Sequence, residues 1–155
     1  MSGYSNYDEG KFLKHTGASL QMDFNDGTLG LTRANGDISF FDPLQLHFHS
    51  PSEHTIDGKY FDVELHIVHK YKGTDSQLGA VLGIFFDIEV GGNSPNEFIE
   101  SLKFSKAHPE GIPISEVNLK DFLSELEKDG YWSYDGSLTT PPCSEGIKWT
   151  IFSDV

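Results

Sequence analysis

Cysteine is nearly absent. Cys143 is the only one, so the chain can form no internal disulfide and no cysteine-based zinc site. Positive charge is scarce as well. Eleven Lys and Arg stand against 24 Asp and Glu, a formal net charge of −13, and an acidic surface of this kind repels nucleic-acid phosphates and anionic membranes. No apolar run approaches the ~18 residues of a membrane-spanning helix. The opening residues Met1 to Glu9 hold neither a basic nor an apolar stretch, so no signal peptide is expected from them, and the compartment stays open. What is present is a core. With 37% hydrophobic residues and 12 Phe, the composition fits a packed chain rather than a disordered one. A length of 155 residues points to a single domain spanning 1–155.

No repeat, low-complexity tract or linker interrupts the chain. Ser19 to Phe24 alternates with period two and ends at the turn signal Asn25-Asp26-Gly27. Leu44 to His49 and Tyr60 to His69 also alternate, separated by Pro51 and the Asp57-Gly58 turn. The apolar run Gly79 to Val90 reads as a central strand covered on both faces. Ser94, Pro95 and Glu97 read as the start of a helix capped by Ser94, with Phe98, Ile99 and Leu102 as its apolar stripe. Asn118 is placed to cap a second helix carrying Leu119, Phe122, Leu123 and Leu126, stopped by Gly130. Tyr131 to Ser137 is strand-like, and the prolines of Leu138-Thr139-Thr140-Pro141-Pro142 make the next segment a loop. The fold class is mainly β with peripheral helices.

Seven histidines are left to explain, four of them between positions 47 and 66. Side chains alternate across a strand, so Gln45, His47 and His49 share one face while Leu44, Leu46 and Phe48 take the other. Likewise Glu64, His66 and Val68 oppose Val63, Leu65 and Ile67. If the two strands pair antiparallel, His47, His49 and His66 converge. Three neutral imidazoles leave one open position on a tetrahedral ion, the arrangement of a catalytic zinc site. Gln45 and Glu64 each precede a histidine by two residues on the same face, where each can hold that ring's second nitrogen. The alternatives are ordinary histidines on a solvated sheet face, or a surface chelating site. His54 reads as a structural residue beside Glu53, His69 as a packing residue on the face opposite His66, and His108 as an exposed loop residue.

Four motifs then resemble the alpha-class carbonic anhydrases, in the same order: Gln45-Leu46-His47-Phe48-His49, Ser52-Glu53-His54-Thr55-Ile56-Asp57-Gly58, Glu64-Leu65-His66-Ile67-Val68-His69, and Gly136-Ser137-Leu138-Thr139-Thr140-Pro141-Pro142-Cys143. The resemblance extends from about Tyr7 to the end, through Leu82-Gly83-Ile84-Phe85 and Trp149. It implies a large, mostly antiparallel twisted sheet and a Zn2+ lyase interconverting CO2 and bicarbonate through zinc-bound hydroxide. That family is itself the reference case for such a site and for its acidified water. His47, His49 and His66 match the zinc ligands, and Gln45 and Glu64 match their supporting residues. Thr139 matches the threonine that accepts from the hydroxide and donates to a buried carboxylate, here Glu53. Thr140 matches a bicarbonate contact, and Val68, Val81, Leu138 and Trp149 match the apolar wall beside CO2.

Three departures accompany the resemblance. Thr16-Gly17-Ala18-Ser19 matches the segment that carries a proton-shuttling histidine in fast members, but Ala18 stands at that position, so proton transfer is expected to limit turnover. His15, three residues earlier, need not face the cleft. The family domain is longer at both ends, so the sheet is expected to be incomplete: a fragment, a compact variant, or a subunit completed by a second copy or partner chain. Cys143 corresponds to a cysteine that is disulfide-bonded in secreted relatives, which hints at an exported ancestor. The alternative to an enzyme is an inactive carbonic-anhydrase-related binding or structural subunit.

Overall fold

A computed structural model describes residues 4, 11–33, 35–75, 77–90, 95–106, 109–114, 117 and 119–155. Its strands are β1 (Lys11–His15), β2 (Leu20–Asp23), β3 (Leu29–Thr32), β4 (Ile38–His49), β5 (Val63–Tyr71), β6 (Leu78–Phe86), β7 (Ile112–Ile114), β8 (Tyr131–Ser137) and β9 (Glu145–Phe152), with helices α1 (Glu97–Ser101) and α2 (Leu119–Leu126). One sheet holds them in the order β7-β1-β2-β4-β5-β6-β9-β8, with β3 added alongside β4. Every pairing is antiparallel except that of β6 with β9.

The centre of the sheet is β4, β5 and β6. Leu46, Leu65, Ile67, Leu82 and Ile84 point to one side and are essentially inaccessible to solvent, packed with Phe98 of α1, with Leu102 at its C-terminal end, and with Leu119, Leu123 and Leu126 of α2. Val68, Val81, Phe85, Trp149 and Ile151 form a smaller cluster on the other side. Because β6 is buried on both faces, its sequence is an uninterrupted apolar run instead of an alternating one.

A bulge in β4 decides which way the histidines face. The β4–β5 register slips between Pro43 and Gln45, inserting Leu44. Before the slip the odd residues Phe41 and Pro43 are buried; after it the even residues Leu46 and Phe48 are. Proline has no N–H to give the ladder and is tolerated in sheets at such irregularities. An unbroken alternation would turn His47 and His49 into the main core. The bulge places them on the opposite face.

Three local expectations need correction or lie outside the described residues. Helix α1 is capped by Asn96, whose Oδ1 accepts the Ile99 N–H at 3.1 Å, and not by Ser94. Asn96 stands immediately before the first helical residue and so reaches an otherwise unbonded amide of the first turn, whereas Ser94 lies too far upstream. Ser94, Asn118 and His108 are outside the described residues. Helix α2 follows its apolar pattern, and the chain leaves it through Gly130, where φ is +94° and glycine is favoured.

His69 sits on the main-core side, fully buried, with its Nε2 against the Tyr4 hydroxyl. Burial pushes this imidazole down to about 3. Its folded value is depressed, so the neutral ring costs nothing above pH 6.5. Below that, the unfolded chain takes up a proton that the folded chain refuses. The His69 contribution to stability therefore falls as pH drops from about 6.5 towards 3, by about 1.4 kcal/mol per unit. Urea unfolding at pH 7, 6 and 5 should show His69→Gln flattening this slope by one proton.

Candidate metal centre

Strands β4 and β5 bring the histidines together through their register. His47 pairs with His66, and His49 with Glu64. The ring centroids lie 4.8 Å (His47–His49), 5.2 Å (His47–His66) and 4.6 Å (His49–His66) apart. One ring nitrogen from each of the three lies within 4.8 Å of the others.

Their neighbours fix which nitrogens are free. Gln45 Oε1 is 2.9 Å from His47 Nδ1, and Glu64 Oε1 is 2.8 Å from His66 Nε2. Oxygen acceptors at those positions put the protons on His47 Nδ1 and His66 Nε2, leaving lone pairs on His47 Nε2 and His66 Nδ1. His49 Nε2 is buried with no hydrogen-bond partner. Burial first, then the charges of His66 and His49, push His47 down to about 3; burial and then His66 lower His49 also. Neutral imidazole is the form that binds metal.

Glu64 is the hub of the support. It is fully buried, and each of its oxygens takes two hydrogen bonds. Oε2 accepts the Glu53 and His54 backbone N–H groups at 2.8 and 2.9 Å. Oε1 accepts His54 Nδ1 at 2.6 Å and His66 Nε2 at 2.8 Å. Burial alone would raise this carboxyl, but the hydrogen bonds from His54 and His66 hold it well below the usual carboxylate range. On the far side of His54, Nε2 accepts the Tyr134 hydroxyl at 2.6 Å. Burial and the Glu64 and Glu53 charges raise the Tyr134 phenol, which keeps it a donor. His54, Glu64 and His66 also lie close enough to chelate. There, however, both imidazoles direct a proton at one carboxylate oxygen, so hydrogen bonding explains the group fully.

The turn carrying Glu53 and His54 is stapled by buried Ser52. Its hydroxyl donates to the His54 carbonyl at 2.7 Å and accepts the Phe61 N–H at 2.9 Å.

The remaining candidates are spread around this centre. Val68, Val81 and Trp149 stand in one row across β5, β6 and β9 and are buried, with Leu138 packed against them. Trp149 Nε1 donates to the Ser137 carbonyl at 3.0 Å, tying the wall to the start of the Thr139 loop. Thr139 and Thr140 are exposed, and no hydrogen bond joins Thr139 to Glu53. Glu53 instead directs Oε1 towards His49 Nδ1 at 3.7 Å and Oε2 towards His66 Nδ1 at 3.9 Å. Ala18 lies in the exposed bend between β1 and β2. His15 has the strand parity of core-facing Leu13, whereas Gln21 pairs directly with His47; its Nδ1 accepts the Gly17 N–H at 3.1 Å. His54 is half-buried, and its carboxylate partner is Glu64 rather than Glu53.

Tyr134 was not legible as part of the site. Its hydroxyl reaches His54 across 80 residues, and only the β8–β9 and β6–β9 pairings bring the two together.

The sheet turns three imidazoles towards one point, beside a buried apolar wall, a geometry that could hold a metal ion. Residues 1–155 match the eukaryotic-type carbonic anhydrase family, and the chain belongs to it. A carbonic anhydrase of Nostoc sp. is 34% identical over 143 residues, 91% of this chain and 50% of that protein. Alpha carbonic anhydrase 3 of Arabidopsis thaliana is 32% identical over 92% of this chain and 49% of its own length. Among solved structures, the alpha carbonic anhydrase of the fungus Aspergillus oryzae superposes with a TM-score of 0.78 at 29% identity, over 98% of this chain and 62% of that one. A dioscorin complexed with ascorbate superposes at 0.72 and 30%, over 100% and 62%. The chain therefore spans about half the length of the curated relatives it matches.

The donor set fits zinc. Three imidazoles, two with their second nitrogen already held and one with a buried unpartnered nitrogen, are the kind of ligand this ion takes.

Proposed function

We propose that this chain carries the catalytic centre for reversible hydration of CO2 to bicarbonate and a proton, with His47, His49 and His66 holding one zinc ion. The observation that carries the reading is the convergence of the three ring nitrogens within 4.8 Å beside the Val68–Val81–Trp149 wall. Zinc bound to imidazoles supplies an acidified water with a pKa of about 7, carbonic anhydrase being the reference case.

The chain's own residues do the rest. Gln45 and Glu64 hold the His47 and His66 rings in the tautomers that face the centre. Val68, Val81, Leu138 and Trp149 offer CO2, which is apolar and linear, a dry surface without competing hydrogen bonds. Thr139 Oγ1 accepts a hydrogen bond from the attacking hydroxide and donates its own hydroxyl hydrogen bond to Glu53, an arrangement that selects the lone pair aimed at carbon. Closing that pair requires Glu53 to turn from His49 and His66 towards Thr139. Thr140 receives the bicarbonate. With Ala18 where fast relatives carry a shuttling imidazole, the released proton leaves through dissolved buffer.

The competing reading is an inactive binding or structural subunit of a larger assembly. It is favoured by the exposure of Thr139, its separation from Glu53, and the half-length match. Stopped-flow CO2 hydration by the zinc-loaded chain separates the two. Active turnover that rises with added imidazole buffer is expected. A rate equal to background supports the subunit reading, and a fast rate independent of buffer contradicts the role given to Ala18.

A further inference from the structure

Gly83 lies in the middle of β6, paired with His66 on one side and with Ile151 on the other. It has no positive φ, so its backbone is open to any residue. Glycine inside a strand is unfavourable and marks a place where something approaches closely. Here the approaching groups are identifiable. A Cβ on Gly83 would stand 2.6 Å from Ile151 Cδ1, 3.0 Å from Glu64 Oε1 and 3.9 Å from His66 Cδ2.

These contacts differ in kind. Ile151 Cδ1 is the free end of a flexible side chain and can turn away. Glu64 Oε1 cannot move freely, because it receives His54 Nδ1 at 2.6 Å and His66 Nε2 at 2.8 Å while Oε2 is pinned by two backbone amides. Displacing it by a few tenths of an ångström lengthens the bond that fixes the His66 ring.

We infer that Gly83 is a positioning residue of the metal centre: its missing side chain is the space in which the Glu64 carboxylate orients His66. The inference rests on the zinc-site reading above. It separates Gly83 from its strand neighbours, whose side chains fill the core. It also explains why β6 carries a glycine where the sheet has no turn, bulge or unusual backbone.

The test uses the full chain and two variants, Ile151→Val and Gly83→Ala/Ile151→Val, because removing Cδ1 takes away the 2.6 Å contact and leaves the 3.0 Å one with Glu64 as the tight approach, His66 Cδ2 at 3.9 Å being an ordinary contact. Zinc affinity is measured by competition with a chromophoric chelator, and the unfolding midpoint is measured on zinc-free protein. The expected result is a zinc-free midpoint that matches Ile151→Val, with zinc affinity weaker by about 10- to 100-fold, the effect of disturbing an outer partner of a ligand. Equal zinc affinity in the two variants overturns the inference. So does an affinity loss that comes with a lowered zinc-free midpoint, or failure of the double variant alone to fold, since Gly83 would then serve the sheet in general. If neither the natural chain nor Ile151→Val binds zinc, the metal-site reading itself falls and takes this inference with it.

Discussion

Replacing His66 with alanine should abolish stoichiometric zinc binding while leaving the sheet folded. His66 is the ligand that β5 contributes, and it faces His47 directly across the β4–β5 ladder. Without it, two imidazoles remain from a single strand, and no other described nitrogen presents a lone pair to the same point. The loss should exceed the roughly 100-fold upper end seen when only an outer partner of a ligand is removed. Competition titration measures it. Folding should survive because Glu64 keeps three of its four hydrogen bonds, those from His54 Nδ1 and from the Glu53 and His54 amides. Retention of tight zinc in His66→Ala would place the metal elsewhere.

Replacing Glu64 with alanine should be costly to folding itself. Four donors converge on this fully buried carboxylate, and the substitution strands all of them. Breaking a buried charged partnership of this kind costs about 3–5 kcal/mol. Glu64→Gln keeps the volume but turns an amide NH2 or a single carbonyl towards two imidazole N–H groups. It should cost less, about 1–3 kcal/mol, and still weaken zinc by releasing the His66 tautomer. Chemical denaturation of zinc-free protein and zinc competition give the two numbers. The pH dependence has a definite sign. The folded carboxyl is held below its ordinary value, so its stabilisation is fully present above the usual carboxylate range near pH 4.3 and is lost as pH falls below it. Glu64→Gln should therefore narrow the gap to the natural chain in acid.

The convergence of the three histidines was legible because two strands advertise themselves. In β4 and β5 the polar residues Gln45, His47, His49, Glu64 and His66 alternate with Leu46, Phe48, Leu65 and Ile67, and period two fixes which side chains share a face. The apolar run of β6 was legible for the opposite reason, since both of its faces are covered. Short strands towards one edge were not. β1, Lys11–His15, held between β2 and β7, and the edge strand β7, Ile112–Ile114 with a proline at its middle, form through their pairing more than through their own pattern. The start of α1 was misread because Ser94, Pro95 and Asn96 all carry start signals, and only geometry chooses Asn96.

Long-range support was the least legible part. Nothing local links Tyr134 to His54 or Gly83 to Glu64: the first contact exists only once β9 pairs in parallel with β6 and brings β8 beside it, and the second only once β5 pairs with β6. The bulge at Pro43 and Leu44 is similar. The proline was visible, but its effect on the direction of His47 depends on the register with β5.

The central claim is that three imidazoles, and no carboxylate, hold the metal. Zinc-edge X-ray absorption on the zinc-loaded chain addresses it directly, since multiple scattering from the rings counts the imidazoles. The expected first shell has three imidazole nitrogens at about 2.0–2.1 Å and one further light atom from solvent. A shell with two imidazoles and a carboxylate, as the His54–Glu64–His66 group would provide, would contradict it.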